Sequence, residues 1–397
     1  MPRLASYDEC TGCGACSVRC PRGCISMAPK GVSGAIHPTI DTGLCVECGG
    51  CEKVCPPINS ESGLKSPTKC YAAWTMDEVD RRACASGGIA HAIYEHYIGK
   101  GGICVGASMN SDWTVSHKIA VTAREIEPFK NSKYVFSEAY GAFRDIPRFL
   151  RQGREVVMIG LPCQIAAARN LFGNHPRLLL VDIVCHGAVP DKFLQQHIEA
   201  LEKKSGIRAA RMSFRAPEKG TANYFFTLYD EKGKIFYSKR SSMGDTYNIA
   251  FHREIAYREN CYNCRYSKPE RVSDITLGDF HGLGSITPCD YAEEEVSAIL
   301  VHTPKGLDVI GELIGKQRIF AEERPVMESV SGDARLTSPS SRSKQQRDFA
   351  KYIRRYCGDF EKTMAMVLAI QKRDERVNTL LSFPRRAVRK VLRLISR

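Results

Sequence analysis

Eight cysteines in the first 55 residues form two runs of one spacing: Cys10, Cys13, Cys16 and Cys20, then Cys45, Cys48, Cys51 and Cys55. Proline follows the last cysteine of each run, and the second run repeats the first at a shift of 35 residues, the mark of an internal duplication. A 4Fe-4S cube needs four thiolates at its iron corners. C-x2-C-x2-C wraps three of them around one cube in a tight loop, and the fourth, three residues on, reaches the other cube. The spacing therefore predicts one cluster on Cys10, Cys13, Cys16 and Cys55 and a second on Cys20, Cys45, Cys48 and Cys51. Zinc also accepts four thiolates, but its motifs usually set two pairs apart, and a disulfide framework belongs to an oxidising compartment. Glycines at 12, 14, 49 and 50 suit backbone that must turn sharply and approach sulfur closely. The chemistry indicated is one-electron transfer.

Three further segments carry thiols: IGLPCQ with Cys163, DIVCHG with Cys185, and CYNCRYS with Cys261 and Cys264. The first two follow apolar strands, and loops beyond strand C-termini are where ligands collect in an α/β sheet. The residues leave two readings open. The four thiols converge on a third cluster, or Cys163 and Cys185 are small core residues and Cys261 with Cys264 is a zinc or redox pair. Cysteines 24, 70, 84, 104, 289 and 357 have no ligand spacing and read as packing residues. Ser86, Gly87 and Gly88 open a helical stretch, where unpaired backbone N–H groups would favour a flavin or nucleotide phosphate, although Ser-Gly-Gly is also an ordinary helix start. In DITLGDFHGLG, Asp274 or Asp279 is a candidate to hold a cofactor hydroxyl and His281 a weak candidate for acid–base work. The plain alternative is a strand, a glycine turn and solvated acids.

These groups need elements to position them. The expected class is α+β: an N-terminal dicluster ferredoxin-like domain over residues 1–57, a Pro/Ser/Lys-rich linker over 58–69, a mixed α/β domain over 70–330, a helical extension over 331–373 and a basic amphipathic tail over 374–397. The first domain is too short for a large apolar core and should be organised by its metals. The tail holds nine Lys/Arg against two acids between Lys372 and Arg397, over half of the formal charge of +13. Basicity gathered at one end argues against nucleic-acid binding by the body. A short helix beginning at Pro384, with Ala387, Val388, Val391, Leu392 and Ile395 on one face, suits either an anionic membrane surface or packing on the body or a partner. The absence of a leader or an apolar span and the abundance of cysteine point to a cytoplasmic protein, peripheral at most at the inner membrane surface.

Taken in order, the doubled cysteine run, SGG, NSKYVFS, LPCQ, CHG, CYNC and DITLGDF resemble the family of beta subunits of coenzyme F-420 (deazaflavin) hydrogenases and dehydrogenases, over roughly residues 1 to 320. The subtype expected is that associated with bacterial surface polysaccharides. The resemblance implies an α/β flavoprotein body that binds FAD and carries a further 4Fe-4S cluster, on Cys163, Cys185, Cys261 and Cys264. It implies a flavin site of Ser86, Gly87, Gly88, Lys133, Tyr134 and Gln164, with Asp274, Gly278 and Asp279 lining the same cleft. His281 stands where many relatives have Trp, and LPCQ replaces the commoner TPCQ.

The leading expectation is an FAD and iron-sulfur oxidoreductase that relays electrons from the N-terminal clusters, fed by a donor such as ferredoxin or reduced deazaflavin, to a small organic or glycan substrate. One alternative is an electron-transfer subunit that oxidises reduced deazaflavin for a partner hydrogenase or dehydrogenase. Another is a non-enzymatic ferredoxin-bearing adaptor.

Overall fold

Apolar runs such as Val156–Gly160, Leu178–Ile183 and Ser297–Val301 have no polar face, which suits strands covered on both sides. The computed structural model, which describes residues 2–59, 63–292 and 294–395, with side chains as far as residue 379, places them at the centre of a nine-stranded mixed sheet. In spatial order its strands are Ile319–Arg324, Lys69–Thr75, Ser297–Val301, Ile275–Asp279, Leu178–Ile183, Val156–Gly160, Ile103–Met109, Val115–Ala120 and Ser137–Glu138. The four strands from Ile275–Asp279 to Ile103–Met109 are mutually parallel. Their C-terminal ends therefore open on one edge, where the LPCQ, CHG and GDFHG segments begin.

Alternation along the strands divides the core into two faces. Val157, Ile159, Leu179 and Val181 join a layer with the helix Ile89–Gly99 and the helix Pro304–Gly315. Val156, Met158, Leu178 and Leu180 join the opposite layer, with the helices Tyr140–Arg151 and Pro162–Phe172. The α+β class expected from the sequence is the class found.

The N-terminal segment contributes the short helices Ala15–Arg19 and Gly50–Lys53 and the hairpin Ile25–Lys30 with Ala35–Ile40. Cys13, Ala15 and Val54 are buried in the second layer, so this segment rests directly on the body. Gly14 marks the closeness: a Cβ there would lie 2.5 Å from Tyr140 Cβ, and its φ of +75° is left-handed. The connection to the body is partly pinned, since Lys65 and Arg271 exchange backbone hydrogen bonds of 2.8 and 3.0 Å.

A third core, built on Phe193, Phe226, Tyr247 and Phe360, joins the helix Asp191–Ser205 to a three-stranded sheet and to the C-terminal helices Lys344–Arg355 and Phe360–Ile395. The Glu231–Gly233 hairpin turn falls in that sheet, between Phe226–Tyr229 and Ile235–Lys239, as its sequence predicts. The separate helix expected from Pro384 is corrected: the backbone runs as one helix through that residue. Proline removes one hydrogen bond and strains the turn before it, but does not by itself end a helix. The amphipathic face of Ala387, Val388, Val391, Leu392 and Ile395 lies outside the described side chains, so the tail's membrane reading has no structural account. Among the described residues no helix is long and apolar enough to cross a membrane.

Ion pairs tie the extension to the body, among them Arg335 with Glu254, Arg342 with Glu259, and one that is buried. Buried His197 places Nδ1 2.6 Å from Glu361 Oε1 and Nε2 3.1 Å from Asp245 Oδ2. Burial opposes the charge, but the hydrogen bonds to the two carboxylates outweigh it and raise His197 to about 9. A histidine raised above its ordinary value of about 6.5 contributes stability that is full below that value and is lost as pH climbs through the folded value. Thermal stability of the intact chain is expected to fall between pH 7 and 10, and H197N should flatten that dependence while costing about 3–5 kcal/mol at neutral pH, because buried Asp245 loses its cationic partner and keeps only the Tyr237 hydroxyl and the Asn248 N–H. Identical pH profiles for the two proteins would contradict this role.

Candidate functional site

The cysteine runs fold as their spacing requires. Gly14 and Gly49, equivalent in the duplication, are both left-handed residues immediately before the two short helices. Gly12 and its counterpart Glu47 are also left-handed, with φ of 69° and 52°. The repeat thus imposes one backbone shape on both loops, and only the first demands glycine for space: a Cβ at residue 12 would meet Arg258 Nη2 at 2.6 Å and Ile36 O at 2.8 Å.

Cys10, Cys13, Cys16 and Cys55 line one small cavity, and Cys20, Cys45, Cys48 and Cys51 line another, the two sets expected from crossed ligation. Cys24, read from the sequence as packing, also lines the second cavity, with its Sγ 3.3 Å from Cys20 Sγ. Its position four residues after Cys20, across a turn, was the available signal. Burial pushes the Cys13 thiol up to about 12 and Cys16 higher still. Bare thiols there would be neutral and inert, and it is a bound metal that makes such groups thiolates. Four cysteines in the first cavity, and four plus Cys24 in the second, are a donor set that fits iron-sulfur clusters.

The three distant cysteine segments converge. Cys163, Cys185, Cys261 and Cys264 line one cavity of about 190 Å³ at the C-terminal ends of the parallel strands. Cys163 sits in the first turn of the helix after Val156–Gly160, and Cys185 just beyond Leu178–Ile183. Cys261 and Cys264 come from a single-turn segment, Glu259–Asn263, and the residue after it. Burial raises Cys261 to about 11 and holds Cys163 and Cys185 well above the ordinary thiol range. The donor set again fits a four-iron cluster. Tyr266, buried and packed in one core layer with Cys13, Cys163 and Cys264, lies between this cavity and the first N-terminal one. Arg258 bridges the same gap, donating from Nη2 to Ile36 O at 3.0 Å while lining the four-cysteine cavity.

Next to this lies a larger cavity, about 350 Å³, a size suited to a cofactor-scale ligand. Ser86, Gly88, Lys133, Tyr134, Gln164, Gly278, Asp279 and His281 all line it, so most of the site expected from the sequence is brought together. Two expected members are not there. Asp274 immediately precedes the strand Ile275–Asp279, at the opposite end from Asp279, where Leu180 N and Thr303 Oγ1 each donate to its carboxylate at 2.9 Å, with Arg169 and Lys305 beside it. It is fully buried and structural. Gly87 faces the sheet instead: its N–H donates to Ser297 Oγ at 3.0 Å, and a Cβ would collide with Ala73 O at 2.4 Å. Its glycine is required by strand packing.

Others are present with their polar atoms already engaged. Lys133 donates to the carbonyls of Pro128, Lys130 and Asn131, and burial lowers its ammonium to about 7. Gln164 accepts from Leu161 N and donates to Ser137 O and Oγ, closing the first turn of its helix. The polar wall that sequence reasoning missed is Arg215 with Tyr224. Arg215 Nη1 donates to Asp279 Oδ2 at 3.0 Å, Tyr224 OH donates to the same oxygen at 3.3 Å, and the guanidinium lies 4.6 Å from the Tyr224 ring centre. No spacing links residues 215, 224 and 279, and only the tertiary fold assembles them. Tyr224 is left-handed with φ of 53°, strained backbone at a functional wall. Burial keeps His117 and His252 near 4, so both imidazoles are neutral at physiological pH.

The cavity and the four-cysteine cavity share Leu161, Gln164 and His186 as a common wall. A ligand in one and a cluster in the other would be separated by one layer of side chains.

Comparison with known proteins bears on this arrangement. Residues 9–57 match the 4Fe-4S dicluster domain, and residues 153–325 match the C terminus of the coenzyme F420 hydrogenase/dehydrogenase beta subunit. The chain is 25% identical over 349 residues to one of the subunits of the F(420)H(2) dehydrogenase of Methanosarcina mazei, covering 80% of this chain and 92% of that protein. It is 28% identical over 347 residues to the coenzyme F420-dependent sulfite reductase of Methanocaldococcus jannaschii, covering 81% of this chain but only 49% of that one. A chain of the F420-reducing NiFe hydrogenase complex from Methanosarcina barkeri superimposes with a TM-score of 0.44 at 17% identity, covering 76% of this chain and 92% of that chain.

With three cysteine sets filled, Cys163→Ala is expected to remove about one third of the bound iron and acid-labile sulfide from anaerobically reconstituted protein, leaving the N-terminal pair intact. An unchanged iron count would return Cys163 to the core.

Proposed function

We propose, for a chain that joins a 4Fe-4S dicluster domain to a domain of the family of coenzyme F420 hydrogenase/dehydrogenase beta subunits, that it is an iron-sulfur oxidoreductase subunit taking electrons from a reduced deazaflavin at the large cavity and passing them outward to a protein partner. The observation that carries this reading is the wall of Leu161, Gln164 and His186 common to the large cavity and the four-cysteine cavity. A flavin such as FAD, when bound there, would supply the exchange between a two-electron hydride carrier and one-electron clusters.

The chain's own residues suit that task. Tyr134, stacked on Phe251 with ring centroids 4.3 Å apart, offers a flat aromatic wall to a ring system. Arg215, fixed by Asp279, presents a permanent positive charge to the anionic groups of a phosphorylated ligand. Tyr266 and Arg258 hold the first N-terminal cysteine set against the four-cysteine cavity and so define an inner-to-outer order. At the outer end Cys48 is exposed, and Leu44 and Val46 beside it are 49% and 58% exposed, an apolar surface of the kind a redox partner covers.

Direction distinguishes this reading from an inward relay toward a small organic substrate. The two curated relatives are named for coenzyme F420, which favours the deazaflavin as donor. Neither the cavity lining nor those names point to a sugar, and the polysaccharide expectation is not carried forward. The adaptor alternative predicts an inert body, which does not suit a large cavity with a few convergent polar groups set against four clustered thiols.

The test is anaerobic. Reconstituted full-length protein with iron, sulfide and flavin counted should show bleaching of its visible cluster absorption on addition of reduced coenzyme F420, and should pass those electrons to a viologen dye. Full cofactor content with no bleaching would overturn the reading, as would iron and sulfide without any flavin.

A further inference from the structure

Arg271 is among the most deeply buried large side chains of the protein, 1% exposed, and it lines the four-cysteine cavity. Its backbone is held by the pairing with Lys65. Its guanidinium is not satisfied: among the described residues Nε and Nη1 have no hydrogen-bond partner. The nearest acid, Asp182, leaves Oδ2 3.9 Å from Nε, beyond hydrogen-bond reach, and that oxygen is itself unpartnered. Asp182 Oδ1 is taken by Thr276 Oγ1 at 2.5 Å, and Thr276 Oγ1 is in turn 2.9 Å from His302 Nε2.

A guanidinium is always charged, so it cannot escape burial by losing its proton. One distant carboxylate is poor compensation for a cation with five donors. The cavity this position lines also holds four sulfurs, which become anionic when they bind a cluster. A four-iron cluster with four thiolates carries net negative charge in its oxidised state and one more negative charge after accepting an electron.

We infer that Arg271 is the counter-cation of an inner four-iron cluster on Cys163, Cys185, Cys261 and Cys264, a positioning residue that raises the reduction potential of that cluster relative to a site without the charge. The inference rests on the proposal that these cysteines hold a cluster. A fixed positive charge stabilises the reduced cluster more than the oxidised one, because the reduced form is the more negative, and cluster potentials follow net charge and nearby donors. The inner cluster then becomes the favoured acceptor for an electron leaving the large cavity.

The experiment is an anaerobic redox titration of reconstituted full-length protein, followed by electron paramagnetic resonance, with iron and sulfide counted in each sample. Wild type is compared with R271M, which keeps bulk without needing hydrogen bonds, and with R271K, which keeps a charge; C163A identifies the inner signal. The expected result is that R271M shifts one midpoint to more negative potential and leaves the others unchanged, while R271K shifts it less. Loss of the inner cluster alone in R271M, with retention in R271K, supports the same role through cluster binding. Unchanged midpoints in R271M, or loss of the cluster in both variants, would overturn it and leave Arg271 as a structural partner of Asp182. A wild-type iron count sufficient for two clusters only, unaltered by C163A, would instead overturn the cluster assignment on which the inference depends.

Discussion

Sulfur ligands must converge out of water, yet a buried thiol resists becoming the thiolate that binds iron. Burial raises Cys13, Cys163, Cys185 and Cys261 far enough that, without metal, these positions would hold small neutral groups. A metal bound there would resolve the conflict by taking the proton's place, and a cluster so held would leave net negative charge inside the protein. Much of the surrounding structure answers that charge. Left-handed residues before the short helices shape the N-terminal loops, and Arg258 and Arg271 bring guanidinium groups to the inner cavity.

The same constraint explains how the N-terminal segment sits. Gly14 against Tyr140 and Gly12 beneath Arg258 leave no room for a side chain, so the backbone of the first cysteine loop lies almost in contact with the body. Tyr266 fills the remaining space. A flexible tether would have kept the domains folded but let the distance between the two cysteine-lined cavities vary. Here a buried aromatic ring, a buried guanidinium and two glycines hold it, while the exposed Cys48 end stays available to a partner.

The large cavity follows from topology. Four parallel strands end on one edge, and the segments that leave them, LPCQ, CHG and GDFHG, supply one side of the cavity. The helix start at Gly88 and the Arg215–Tyr224 wall supply the rest. The wall is electrostatic as well as aromatic, since Asp279 fixes Arg215 and Tyr224 at once. The cavity's neighbouring imidazoles at His117 and His252 are neutral, while Arg215 is held charged in its pair with Asp279.

The two N-terminal cysteine sets were legible in the sequence because their ligands are local: each loop carries three within seven residues, and the crossed fourth follows from the duplication. The apolar strands alternating with helices, and with them the α+β class, were legible for the same reason, since apolar runs and helical periodicity are properties of neighbouring residues. The convergence of Cys163, Cys185, Cys261 and Cys264 was not, because no spacing rule relates residues a hundred positions apart. The sequence alone left them equally readable as core. Tertiary structure also separated residues that their motif had joined. Asp274 immediately precedes the strand that Asp279 ends, and the strand's opposite ends put one into a structural network and the other into the cavity. Cys24 and Arg271 are invisible as site residues until the chain folds, because what makes them so is burial beside sulfurs contributed by other segments, and burial is decided only when those segments meet.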